Sequence, residues 1–228
     1  MVHAIPPRPE ALLFDLDGTL TDPKPGITRS VQYALERLGL TPPPADDLEW
    51  VIGPPLAQSF AVLLGPGGDP AEGVRLYRER YAVTGLFENE IVPGIPALLD
   101  DLLADGRRLF VATSKPRVFA ERILDHFGLA DRFQHVHGSE LDGTRADKRD
   151  LIAYAVAQER LTPAATVMIG DREHDVIGAG SVGIGTIGVR WGYGSDAELM
   201  AAGVAALVDR PAEIGRLAGL PEARAALA

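Results

Sequence analysis

Along most of the chain, short apolar runs ending in acids or glycine alternate with stretches of helical periodicity. Ala11–Phe14 is wholly apolar and stops at the acids and glycine of 15–18, as a buried strand running into a turn does. From Thr21 to about Pro93 the period changes. Ile27, Val31, Leu35 and Leu38 recur at helical spacing until Gly39 and the prolines at 42–44 stop them. Leu56–Leu64 and residues 71–86 also read as helices, split by the GPGG at 65–68. The middle of the chain is therefore predicted to be an all-helical insertion.

After it the alternation returns. Helices are predicted at Ile95–Ala104, 116–127, 150–160, 173–179, Asp196–Ala202 and 212–217. Strands are predicted at 108–113, 133–137, Thr166–Gly170, Gly185–Val189 and 205–208. Strands alternating with helices imply right-handed crossovers and a doubly wound α/β fold, its largely parallel sheet covered on both faces. The expected organisation is an α/β core built from residues 1–20 and 94–228, with a small all-α cap at 21–93.

Composition removes several kinds of chemistry. Cysteine is absent from all 228 residues, which excludes thiolate metal sites, iron–sulfur clusters and cysteine nucleophiles. Lys+Arg of 22 against Asp+Glu of 32 leaves a net charge of −10, a balance that disfavours nucleic acid and anionic membrane as partners. The start, MVHAIPPRPE, lacks the charged segment and apolar core of a signal peptide, so a cytoplasmic location is expected.

In open α/β sheets ligands sit beyond the carboxyl ends of the strands. The first strand delivers Asp15, Asp17, Gly18 and Thr19 to that edge; the second core strand delivers Thr113, Ser114 and Lys115; Thr166–Gly170 delivers Asp171, with Asp175 four residues on. Lys148 joins from the loop before its helix. Aspartates without histidine or cysteine favour a hard cation, and Mg2+ is the expected cofactor. A carboxylate beside it can attack phosphorus, a second two residues on can exchange protons with the leaving oxygen and water, and the hydroxyls and ammonium can hold phosphoryl oxygens.

FDLDGTL (14–20), VATSK (111–115), Lys148 and GDREHD (170–175) together resemble the four motifs of the haloacid dehalogenase superfamily, in its phosphoglycolate-phosphatase-like and 5′-nucleotidase-like branch. The resemblance spans nearly the whole chain and implies a Rossmann-like core, a helical cap and a magnesium-dependent phosphatase working through an aspartyl-phosphate on a small phosphorylated metabolite. It implies Asp15 as nucleophile, Asp17 as general acid/base and Thr113 as phosphoryl binder. Lys148 would pair with Asp15. Asp15, Asp171 and the backbone carbonyl of Asp17 would hold the metal, supported by Asp175. Ser114 is placed with the substrate; the roles of Ser114 and Lys115 are less defined. Of the three lysines, only Lys148 precedes the appropriate helix.

Other readings fit the same residues. Pyrophosphatase and sugar-phosphate mutase share the core motifs. A phosphonate hydrolase would need a cap lysine, for which Lys24 alone is available. A phospho-receiver would lack the acid at Asp17 and the large insertion. Gly178–Gly183 spells GAGSVG but follows a helix rather than a strand, so it reads as a turn and not a dinucleotide site. His135 and His137 share one strand face with no third ligand in view, and read as solvent- or loop-facing. Arg75, Arg78 and Arg80 form a cationic helix face, while the turns at 53–56 and 87–89 are candidate substrate contacts. A monomer or homodimer is expected.

Overall fold

The computed structural model describes residues 2–221. Its main sheet has six strands: β1 (Ala11–Phe14), β4 (Arg108–Pro116), β5 (His135–Ser139), β6 (Thr166–Gly170), β7 (Gly185–Val189) and β8 (Ala206–Val208). Their order is β5-β4-β1-β6-β7-β8, and every neighbouring pair is parallel. The doubly wound α/β fold expected from the alternation is the fold observed.

Parallel strands covered on both faces should be apolar at every position, and β1, β6 and β7 are buried throughout. Side-chain alternation then divides the core. Leu13, Phe110 and Met168 point into one cluster, with Ile152 of α6 (Lys148–Glu159) and Ala179 of α7 (Glu173–Ser181). Leu12, Phe14, Val111 and Ile169 point the other way, toward α4 (Ile95–Ala104), α5 (Arg117–His126) and α9 (Pro211–Leu217). A short α8 (Asp196–Ala202) packs beside α7.

The second cluster continues into α1 (Lys24–Arg37), α2 (Leu56–Leu64) and α3 (Pro70–Tyr81), through Ile27, Val31, Phe60, Tyr77 and Tyr81. Capping fixes where α3 begins: the Asp69 side chain accepts from the backbone N–H groups of Ala71 and Glu72. The helix ends earlier than its apolar pattern predicts, at Tyr81, and a separate 3-10 turn spans Gly85–Phe87. The segment is also not purely helical. Thr21–Asp22 (β2) and Glu90–Ile91 (β3) form an antiparallel ribbon where the chain leaves and rejoins the sheet. Two-residue strands are too short for an alternation pattern to reveal.

Among the described residues no helix is long and apolar enough to cross a membrane.

Candidate active site

Parallel strands aim their carboxyl ends at one edge, and β1, β4 and β6 deliver their polar residues there together. The Asp15 amide donates to the Ile169 carbonyl at 2.9 Å, continuing the β1–β6 ladder one residue past the strand and holding Asp15 against the start of the Asp171 loop. Gly18 then turns the chain with φ +80°, and a β-carbon there would lie 2.3 Å from Asp171 Oδ2. Glycine is needed at this position for both the left-handed backbone and the close approach.

Strand β4 does not stop at Thr113 as its apolar run suggests but continues to Pro116. Its register against β5 shifts between Thr113 and Pro116, so Ser114 and Lys115 form an irregularity of the kind that re-aims side chains beside sites. The Ser139 hydroxyl donates to the Ser114 carbonyl at 2.8 Å and fixes the distortion. Lys115 is thereby directed inward, its ammonium 2.6 Å from Asp17 Oδ1 and 2.6 Å from the Tyr81 hydroxyl of α3. Burial raises the Asp17 carboxyl above its ordinary range, and Lys115 offsets part of that rise.

Lys148 opens α6 and is buried. Its ammonium lies 2.8 Å from Asp15 Oδ1 and 2.6 Å from Asp175 Oδ1, and donates to the Ala112 carbonyl at 2.7 Å. Burial pulls the Lys148 pKa down, but the Asp15 and Asp175 charges outweigh it, and the net shift is upward. Asp175 also accepts from the Arg172 amide at 3.2 Å, which anchors the start of α7. A β-carbon at Gly170 would lie 2.3 Å from Asp175 Cγ, so β6 must end in glycine for Asp175 to fold back on it.

Carboxylate oxygens of Asp15, Asp171 and Asp175 lie within 4.8 Å of one another. Burial, then the charges of Asp15 and Asp175, push Asp171 well above the usual carboxylate range. Asp175 is pushed up to about 6, by burial first and against the pull of Lys148. Three buried acids in mutual repulsion, offering only oxygen donors, fit a hard cation such as Mg2+. The carboxylate of Asp17 stands apart from this set, facing Lys115.

The sheet edge opens into a cavity of about 360 Å³ lined by Asp15, Asp17, Thr113, Ser114 and Lys115 on one side and α1–α3 on the other. Much of the wall is apolar or aromatic: Ile27, Val51, Leu56, Val74, Tyr77, Tyr81 and Phe119. The 53–56 turn lines it as anticipated, whereas residues 87–89 are not among its walls; Phe87 packs on His126 instead. The three arginines of α3 separate. Arg75 pairs with Glu72 and Arg80 with Glu88, but Arg78 lines the cavity and has no ion-pair partner among the described residues. Lys24 is turned away, paired with Asp46 and Glu49.

The segment after β7, outside the four motifs, completes the site. After β7, the Tyr193 amide donates to Asp171 Oδ2 at 2.8 Å, its hydroxyl donates to Asp22, and Trp191 Nε1 donates to the Thr19 carbonyl at 3.1 Å. Beta-carbons at Gly192 and Gly194 would lie 2.2 and 2.0 Å from Asp171 atoms. The signal was present: alternating glycines after a strand, at the sheet edge where ligands collect.

Comparison with known proteins adds to this geometry. A family model described as haloacid dehalogenase-like hydrolase matches residues 12–189. The chain is 52% identical over 191 residues to a Pseudomonas aeruginosa protein named 5′-nucleotidase, covering 83% of this chain and 86% of that one. It is 44% identical over 186 residues to tyrosine-protein kinase PtkA of Mycobacterium tuberculosis, covering 82% of this chain and 64% of that protein. The crystal structure of a predicted phosphatase from Clostridium acetobutylicum aligns with a TM-score of 0.87 at 41% identity, covering 91% of this chain and 96% of that one.

Proposed function

The chain belongs to the haloacid dehalogenase-like hydrolases, and from that premise we propose that it is a magnesium-dependent phosphatase hydrolysing a small phosphomonoester through an aspartyl-phosphate on Asp15. The observation that carries the reading is Asp15 itself. It is a buried carboxylate at the floor of the cavity, with Lys148 on one side, the Asp171–Asp175 pair on another and Asp17 two residues away. Asp15, Asp171 and the backbone of Asp17 would hold Mg2+, which when bound would offset negative charge on the transferring phosphoryl group.

The protein side chains perform the proton and bond changes. An Asp15 oxygen attacks phosphorus, the bond to the leaving oxygen breaks, and that oxygen takes the proton of the Asp17 carboxyl. Water then attacks phosphorus, giving a proton to Asp17, while the bond to Asp15 breaks and inorganic phosphate leaves. The upward shift of Asp17 supports its holding a proton at the first step. An arriving phosphoryl group competes for the Lys115 ammonium and so frees Asp17 from its ion pair. Thr113, Ser114 and Lys148 steady the phosphoryl oxygens and their charge. Residues 21–93 act as a cap that shields the reaction from bulk water.

The apolar and aromatic wall favours a ring-bearing, nucleotide-like leaving group over phosphoglycolate, in keeping with the name of the Pseudomonas relative. Lys24, paired away from the cavity, speaks against the phosphonate-hydrolase reading. Phosphate release from an aryl phosphate, followed by a panel of nucleoside monophosphates, phosphoglycolate, sugar phosphates and pyrophosphate, tests the reading. Release that requires Mg2+ and vanishes in Asp15→Asn supports it. Phosphoryl transfer from a nucleoside triphosphate to tyrosine, with no release from any ester, would replace it by a kinase.

A further inference from the structure

The histidine pair on β5 has a partner that its sequence spacing could not show. Alternation puts His135 and His137 on one face of this edge strand, and the last residue of α6, Glu159, reaches the same spot. Glu159 Oε1 lies 2.6 Å from His135 Nδ1 and 3.0 Å from His137 Nε2. One potential ligand atom from each residue falls within 4.8 Å of the other two. We propose that His135, His137 and Glu159 form a second metal site, for a zinc-class divalent cation, that ties the edge strand to α6.

Donor chemistry separates this site from the catalytic one. Two imidazoles and one carboxylate suit zinc, cobalt or nickel, whereas the all-aspartate cluster suits magnesium. Bonds of about 2.0–2.1 Å around a tetrahedral ion space its ligands roughly 3.3 Å apart. The observed nitrogen–oxygen contacts of 2.6 and 3.0 Å therefore have to open by about 0.7 and 0.3 Å, within reach of side-chain rotation. Three protein ligands would leave the fourth position to water.

The surroundings are compatible with a cation. Arg108 lies 3.8 Å from Glu159, but it meets Oε2, while both imidazoles converge on Oε1. Arg108 is further engaged by Gln134 and the Phe110 ring. Arg145, the other nearby cation, pairs with Glu140 and lies over the Tyr154 ring. His137 is buried against Phe110 and Tyr154, so its imidazole is held in place at the site.

The position gives the site a consequence. Ser139, at the other end of β5, lines the catalytic cavity, and Lys148, at the other end of α6, meets Asp15. An ion bound here clamps together the far ends of the two elements whose near ends build the active site.

The test titrates the full-length, metal-stripped protein with Co2+ and with Zn2+ in excess Mg2+, which keeps the aspartate cluster filled. Saturable binding of one equivalent is expected. Co2+ should show the visible absorption of low-coordinate cobalt, Zn2+ should shift the side-chain 15N signals of both histidines, and Zn2+ should raise the melting temperature. His135→Gln and Glu159→Gln should each weaken binding at least about tenfold. His135 is largely exposed, so its replacement tests the site without endangering the fold. No saturable binding, or equal binding by wild type and both variants, would overturn the proposal and leave a hydrogen-bonded triad only.

Discussion

Replacing Lys148 by methionine keeps the length of the side chain and removes the charge that holds Asp15 and Asp175 together. The ammonium has two carboxylate contacts, 2.8 Å to Asp15 and 2.6 Å to Asp175, and a 2.7 Å hydrogen bond to the Ala112 carbonyl, all buried. Removing one partner of a buried ion pair costs ~3–5 kcal/mol, and an orphaned carbonyl adds about 1 kcal/mol. The fold has one escape. Burial already pushes Asp175 up to about 6 against the pull of Lys148, so without that lysine its carboxyl rises further and takes a proton more readily near pH 7, which removes one stranded charge. The expected loss is therefore at the low end, about 3 kcal/mol. At roughly 2–4 °C per kcal/mol for a chain of this size, the melting temperature in EDTA should fall by about 6–12 °C. Mg2+ restores positive charge among the same carboxylates, so it should raise the melting temperature of the variant more than that of wild type. Circular dichroism melts with and without Mg2+ measure both effects. A variant melting within about 2 °C of wild type in EDTA, or one indifferent to Mg2+, would refute the account of the charge cluster.

Other consequences follow from single contacts. Gly18→Ala forces a β-carbon into the space of Asp171 Oδ2 at φ +80°; Mg2+ affinity, read by activity against metal concentration, should drop at least about tenfold, and unchanged affinity would remove Gly18 from the site's architecture. Asp17→Asn should slow esters with poor leaving groups far more than aryl esters that depart without a proton, so equal losses across a leaving-group series would exclude it as the acid. Arg78→Met should reduce kcat/KM for a nucleotide-like ester mainly through KM; a loss confined to kcat would mean it acts elsewhere. In metal-free protein, carbon-13 NMR should find Asp175 titrating near 6, against 3.8 in an unfolded chain. Its folded pKa is raised, so its contribution to stability is complete below pH 3.8 and is lost as the pH rises through about 6. A midpoint below 4.5 would contradict the burial argument.

What the sequence revealed tracks how local its determinants are. Ala11–Phe14, Thr166–Gly170 and Gly185–Val189 are legible to the residue because fully buried parallel strands are short, uncharged, mostly apolar runs that stop at charged residues. Residues following those ends, Asp15, Asp17 and Asp171, were legible for the same reason. The extension of β4 through Lys115 was not, because polar residues after an apolar run look like a loop until a neighbouring strand pairs with them. The inward turn of Lys115 depends on a register shift against β5, and Glu159 lies 22 residues from His137, so neither contact has a local signature. Arg75 has acids three and four residues away on its own helix, whereas the pairing of Arg80 with Glu88, which leaves Arg78 as the arginine facing the cavity, depends on the chain's return beyond the helix.

The central claim is a phosphoryl group carried on Asp15. Rapid acid quenching during Mg2+-supported turnover of an aryl phosphate, followed by peptide mass spectrometry, tests it most directly. The account predicts a phosphorylated peptide bearing Asp15, absent from Asp15→Asn and from reactions in EDTA. Phosphoryl attached to a different residue, or undiminished turnover by Asp15→Asn, would contradict it.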